Sequence, residues 1–231
     1  MRLSVVVPAH NEQENIAEVI NKIEESLAIE HGLIVVDDNS TDATAQIVEK
    51  LSRQYNNIRL VHNKLEKGFA NALKTGFTNV DTEIVIPIMA DLCDDLSTIP
   101  KMLSKIDEGY DVVCGCRYAG GGARLGGSGL KGFLSRLGGL SIHSLLGIPT
   151  HDIANAFKMY RKKVIDSINI TGKGFEISME IAIKAFYLGF KITEVPTVWK
   201  ERTRGKSNFK VFKLLPSYIK LYLWAIYKRL I

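Results

Sequence analysis

The sequence predicts an α/β fold: a mostly parallel sheet with helices on both faces, followed by a C-terminal amphipathic helical tail. Three observations lead there. Strand-like and helical patterns alternate through residues 1–116. The strand-like runs are continuously apolar, as strands covered on both faces are. Three of them end in polar, acid-rich loops, the edge at which open α/β sheets bind ligands.

The elements follow in order. Residues 3–7 form a short strand ended by Pro8, and Ile16, Val19, Ile20, Ile23 and Leu27 then recur at helical spacing. Residues 33–36 make a second buried strand, stopped by Asp37-Asp38-Asn39-Ser40. Thr41-Asp42 resembles a helix start, with Ile47, Val48 and Leu51 inward. A third strand is expected over 58–61, a short helix over 68–77, a fourth strand over 84–89, a helix over 97–106 and a fifth strand over 111–116. Six glycines between residues 119 and 129 predict a mobile loop. Residues 130–146 read as an amphipathic helix, 156–160 as a strand, 176–188 as a helix and 191–195 as a strand. The tail, 211–231, is helical in pattern and interrupted by Pro216. Residues 1–210 are thus expected to form one domain, with halves 1–116 and 117–210, and 211–231 an appended helix.

The net charge of +5 is unevenly spread, since the segment from Trp199 onward carries +8 and leaves −3 for the first 198 residues. A basic terminus on an acidic body predicts an anionic partner, a phosphate or a membrane surface. No nucleic-acid motif accompanies the charge, so no nucleic-acid partner is expected. The odd set of three cysteines lacks zinc-site spacing and reads as free thiols in a reducing compartment. Met1-Arg2 leads straight into the first strand, so no targeting segment is expected, and no uncharged apolar window is long enough to span a bilayer.

Three polar segments carry the chemistry. Pro8-Ala9-His10-Asn11-Glu12 follows the first strand, Asp37-Asp38-Asn39-Ser40-Thr41-Asp42 the second, and Ala90-Asp91-Leu92-Cys93-Asp94-Asp95 the fourth. Together they form one polar edge where carboxylates can hold a hard divalent cation, and the cation a diphosphate.

These segments resemble inverting family 2 glycosyltransferases of the GT-A, Rossmann-like fold. The likeness continues through Cys114-Gly115-Cys116-Arg117-Tyr118, Asp152-Ile153-Ala154-Asn155-Ala156-Phe157-Lys158, Gly174-Phe175-Glu176, Ile192-Thr193-Glu194-Val195-Pro196 and Trp199 to Ser207, which are similar to dolichol- or polyprenyl-phosphate mannose synthases. The resemblance implies a nucleotide-sugar donor (GDP-mannose or UDP-hexose) whose base and ribose meet Pro8, His10, Glu12 and Asp38. It implies Mg²⁺ or Mn²⁺ on Asp91, and donor or acceptor phosphates on Arg117, Ser135, Arg136 and Arg202, with Ser207 in a loop able to close over phosphate. Asp91, Arg117 and Arg202 are the expected catalytic residues. His143 and His151 are expected to be structural.

The chain departs from the family's pattern in three places. Met89 stands where a first carboxylate is usual, leaving Asp91, the diphosphate and water to hold the metal, or Asp94 or Asp95 to supply the missing charge. Ala156 replaces an expected glycine before Phe157.

A hydroxyl acceptor needs a base, and the Glu-Asp pair that family members use is reduced here to Glu176 alone. An ionised phosphate needs none, so a polyprenyl phosphate acceptor is expected. The apolar run 221–227, flanked by Lys213, Lys220, Lys228 and Arg229, suggests an interfacial helix, and 130–146 a second membrane contact. The expected protein is a hexosyltransferase, peripheral on the cytoplasmic face of a membrane. A saccharide hydroxyl acceptor, and a non-catalytic binding or scaffold subunit, are the alternatives.

Overall fold

The computed structural model describes residues 1–202 and 211–230, the side chains of Lys131 and of residues 211–213 aside. The first half contains β1 (Leu3–Ala9), α1 (Ile16–Ser26), β2 (His31–Asp37), α2 (Thr44–Ser52), β3 (Ile58–His62) and α3 (Phe69–Thr78). It continues with β4 (Ile84–Pro87), α4 (Ile99–Asp107) and β5 (Val112–Cys116). The second half adds β6 (Ala123–Leu125), α5 (Gly129–Leu146), β7 (Lys158–Arg161), α6 (Lys162–Asp166) and α7 (Ile177–Tyr187). It ends with β8 (Ile192–Pro196), β9 (Val198–Lys200) and α8 (Val211–Leu230).

Seven strands form one sheet in the order β3-β2-β1-β4-β7-β5-β8, parallel except for β7. The expected mostly parallel sheet with helices on both faces is therefore present. β1, β2, β4 and β5 are buried along their whole length, which is why their sequences run apolar rather than alternating. One face packs against α1, α2 and α4, the other against α3, α5, α6, α7 and α8. Gly76 lets α3 lie directly on β1, since a Cβ there would meet Val6 Cγ1 at 2.3 Å.

Four local differences from the expectations have physical reasons. β4 stops at Pro87 rather than Met89: Pro87 has no N–H to offer β7, and the last bond to β1 is Ile88 N–H to the Val6 carbonyl at 2.9 Å. β7 runs antiparallel between β4 and β5, a direction that no apolar run encodes. The glycine-rich segment is not wholly a loop: residues 123–125 pair in parallel with β9, and Gly126 and Gly127 (φ 83° and 75°) turn the chain into α5. Pro216 does not interrupt the last helix but lies inside it.

α8 also differs from a free interfacial helix. Its Trp224 packs edge-on against Tyr187 (centroids 6.2 Å apart), and the Tyr187 hydroxyl donates to the Ala225 carbonyl at 2.6 Å. One face is thus spent on the domain, while Ile219, Leu223 and Tyr227 stay exposed, as do Leu130, Phe133 and Leu137 on α5. Among the described residues, no helix is long and apolar enough to cross a membrane.

Candidate active site

The strand order makes β1, β2 and β4 neighbours, so their C-terminal loops meet at one edge. The first two loops are laced together. Asn11 N–H donates to Ser40 Oγ at 3.1 Å, Thr41 N–H to Asn11 Oδ1 at 2.8 Å and Glu12 N–H to Thr44 Oγ1 at 2.9 Å. Pro8 and Asp38 are buried beneath them. The Asp38 carboxylate accepts from the Asn63 amide (2.6 Å) and from Gly68 N–H (2.9 Å), and His10 Nδ1 lies 2.9 Å from the Asp38 carbonyl oxygen. Each of the three loops turns through a left-handed residue: Asn11, Asn39 and Leu92, with φ of 53°, 55° and 57°. Asparagine tolerates this conformation, but at Leu92 it costs on the order of 1 kcal/mol, so the acidic loop is held in a strained turn.

One bond within the loop and one from outside hold it. Cys93 N–H donates to Asp91 Oδ1 at 3.1 Å, and Lys200 N–H donates to the Cys93 carbonyl at 2.9 Å, so the strand β9 runs along it. This path delivers Arg202, whose Nη2 lies 3.4 Å from Asp91 Oδ2 and 3.6 Å from Glu12 Oε1. Asp94 lies in the same cavity wall, where burial and the charge of Asp91 push its carboxyl up to about 7.

These groups fit a divalent cation. Two carboxylates from different strand ends converge on a single guanidinium, with a third carboxyl beside them. Among the described residues no three His, Cys, Asp or Glu side chains form a metal cage, so water and diphosphate oxygens would complete the shell, as Mg²⁺ commonly allows. The Met89 thioether lines the same wall but is too soft for a hard cation.

On the other side, Arg117 extends from the end of β5. Its Nε and Nη2 donate to Asp152 at 2.7 and 2.8 Å, and Nη2 also donates to Ser135 Oγ at 3.1 Å. Asp152 is fully buried. Burial works against the charge on Arg117, but the Asp152 hydrogen bonds outweigh it and raise its pKa above the ordinary arginine value. α5 comes close enough to place Ser135 there because Gly139 faces the loop; a Cβ would sit 2.1 Å from the His151 carbonyl oxygen.

Asp91, Asp94, Arg117, Ser135 and Arg202 all line one cavity of about 430 Å³. Away from this charged end the walls are apolar, with Ile142 of α5, Phe175, Met179 of α7, and Leu214, Tyr218 and Tyr222 of α8. Arg136, one position along α5 from Ser135, is exposed and does not line the cavity. Ser207 lies outside the described residues.

Glu176 is buried, and its Oε1 accepts from Lys173 and Gly174 N–H, both at 3.1 Å. Its Oε2 has no hydrogen-bond partner among the described residues, and the side chain does not line the cavity although Phe175 and Met179 do. His143 and His151 stack at 4.0 Å, with His151 Nδ1 2.7 Å from Glu194, and neither lines the cavity. The three cysteines are free and buried, and burial pushes the Cys114 and Cys116 thiols up to about 11 and about 12.

Asp152 is a residue of the candidate site that nothing in its local sequence singles out. An acid set between Thr150-His151 and Ile153-Ala154, and buried there, demands a cationic partner, but its partner lies 35 positions away.

Comparison with known proteins places the chain among glycosyltransferases. The chain is 31% identical, over 97% of its length, to a dolichol-phosphate mannosyltransferase of Pyrococcus furiosus, and spans 64% of that relative. It is 26% identical to a polyprenol monophosphomannose synthase of Mycolicibacterium smegmatis, covering 99% of this chain and 89% of the relative. Its fold is that of glucosyl-3-phosphoglycerate synthase from Mycobacterium tuberculosis, a GT-A enzyme, in the complex with Mn²⁺, UDP-glucose and phosphoglyceric acid. The TM-score is 0.75 at 21% identity, over 97% of this chain and 79% of that one. Glycosyl transferase family 2 matches residues 4–168, the stretch that holds all three strand-end loops and the Arg117–Asp152 pair, and the chain belongs to that family.

Proposed function

We propose that the chain transfers a hexose, with inversion, from a nucleotide-sugar donor such as GDP-mannose or UDP-hexose to a polyprenyl phosphate. The observation that carries this is a cavity with a carboxylate-and-arginine end and an apolar end between α5, α7 and α8. Charge at one end suits a diphosphate and a phosphate monoester; the apolar walls suit the first isoprene units of a lipid. The names of the two mannosyltransferase relatives support the same substrate classes.

The donor base and ribose lie against Pro8, His10, Glu12 and Asp38. Asp91, with Asp94 beside it, would hold Mg²⁺ or Mn²⁺, which supplies Lewis-acid neutralisation of the departing diphosphate. Arg117 and Ser135 hold the acceptor phosphate, and Arg202, released from Asp91, adds a second guanidinium to the phosphates. An acceptor oxygen attacks the anomeric carbon in line as the bond to the diphosphate breaks, so one displacement inverts the configuration. Phosphate monoesters are largely ionised above about pH 6, so the attacking oxygen needs no base. Glu176, turned to the Lys173 and Gly174 amides, is consistent with that.

The exposed apolar stripes of α5 and α8, with Arg136, Lys220 and Lys228 near them, support peripheral binding to the cytoplasmic face of a membrane. Incubating the purified chain with a lipid phosphate, Mg²⁺ or Mn²⁺ and candidate donors tests the reading. Glycolipid formation is expected, and transfer only to a sugar hydroxyl overturns it. One observation favours that second reading: the buried Oε2 of Glu176 is unpartnered among the described residues, though the side chain would have to turn into the cavity, which it does not line, to serve a hydroxyl acceptor as base.

A further inference from the structure

We propose that Lys158 is a positioning residue for the acceptor phosphate: its buried ammonium fixes the 152–155 loop, and through Asp152 the guanidinium of Arg117. The inference rests on the reading of Arg117 as an acceptor-phosphate contact.

Lys158 opens β7, opposite Cys114 of β5, and is fully buried. Its Nζ donates to the Ile153 carbonyl at 2.9 Å and to the Asn155 carbonyl, not to a carboxylate. Burial lowers its pKa. An amine in such a place is expensive to keep, and an apolar side chain of similar length would fill the space at lower cost. What the lysine adds is two hydrogen bonds to a segment outside any strand ladder.

That segment carries the Arg117 clamp. One Asp152 oxygen accepts from both Arg117 N–H and Nε–H, at 3.0 and 2.7 Å, so the guanidinium lies where Asp152 puts it. Asp152 is in turn set by a short turn, in which Asn155 N–H donates to the Asp152 carbonyl at 3.2 Å and the Asn155 amide to the Gly115 carbonyl at 2.8 Å. Lys158 grips that turn at Ile153 and Asn155. Ile153, Ala154 and Asn155 line the cavity and Lys158 does not, so it acts on the site through them.

A double-mutant cycle on the full chain tests this, with a short-chain polyprenyl phosphate as acceptor. Lys158→Met is expected to raise the acceptor KM about tenfold, the scale of lost hydrogen bonds from a charged donor. Affinity for a nucleoside diphosphate with Mn²⁺ is expected to stay within about twofold, because the donor loops are elsewhere. In an Arg117→Gln background the same change is expected to alter the acceptor KM by less than about twofold, since nothing remains to be positioned. Equal losses in both backgrounds, or an unchanged KM in Lys158→Met, overturn the proposal. Should Lys158→Met fail to fold, Lys158→Gln, which keeps an N–H donor but no charge, takes its place in the cycle. If instead Arg117→Gln alone leaves the acceptor KM at its wild-type value, the acceptor-phosphate reading of Arg117 falls, and the proposal with it.

Discussion

On the proposed donor side the functional groups sit on three loops at adjacent strand ends, the first two joined by backbone-to-side-chain hydrogen bonds such as Glu12 N–H to Thr44 Oγ1 (2.9 Å) and Asn11 N–H to Ser40 Oγ (3.1 Å). On the proposed acceptor side they come from scattered places: Arg117 after β5, Ser135 from α5, Asp152 before β7, and apolar walls from α7 and α8. The donor side presents carboxylates, the acceptor side the guanidinium of Arg117 beside Ser135, opening onto apolar walls. A metal–diphosphate needs charge held at a defined place, which stiff strand ends provide. A phosphate on a long hydrocarbon needs one strong anchor and a greasy path, which helices with facing apolar stripes provide.

The largest expected effect separates the two sides. Asp91→Asn is expected to lower turnover by about 10³-fold, several kcal/mol of charge stabilisation, and to remove metal-dependent binding of a nucleoside diphosphate in calorimetry. Metal-dependent binding that survives in Asp91→Asn but is lost in Asp94→Asn moves the metal contact to Asp94.

Arg117→Gln is next. We expect kcat/KM for the lipid phosphate to fall about 100-fold, the scale of a charge-assisted, bidentate contact, with donor affinity unchanged by titration. Equal loss of donor affinity would blur the division between the sides. Glu176→Gln is expected to leave turnover within about threefold and to lower unfolding stability by about 1 kcal/mol, the worth of weakened amide hydrogen bonds. A rate assay beside a denaturant melt reads both, and abolished turnover would favour the hydroxyl acceptor.

The smallest effect on fold and chemistry concerns the apolar stripes. Leu137→Glu and Leu223→Glu are exposed changes and should alter stability by no more than about 0.5 kcal/mol. Co-sedimentation with anionic vesicles should nonetheless weaken severalfold. Unchanged sedimentation would assign the stripes to another role.

Much of the donor side was legible because it is local. His10 and Glu12 follow a strand directly, and so do Asp38 and Asp91, so an apolar run ending in polar residues names both the element and the edge. The acceptor side was less legible. Arg117 and Ser135 stood out by type, but Arg136 looked equal to Ser135 until the helix turned it to solvent. Asp152 and Lys158 read as parts of a motif, because their roles depend on partners that another strand or turn supplies. The apolar run 221–227 reads as an interfacial helix, while Trp224 within it packs edge-on against Tyr187, a contact no local pattern encodes.

By itself the sequence determined the alternating strands and helices, the covered parallel sheet and the three polar loops at its edge, since each follows from short-range periodicity and from the residue types that end a strand. The direction of β7, the pairing of β6 with β9, the Arg117–Asp152 clamp and the meeting of Arg202 with Asp91 and Glu12 were decided only in three dimensions. Each joins residues far apart in the chain, and burial of charge makes such a pairing necessary without naming the partner.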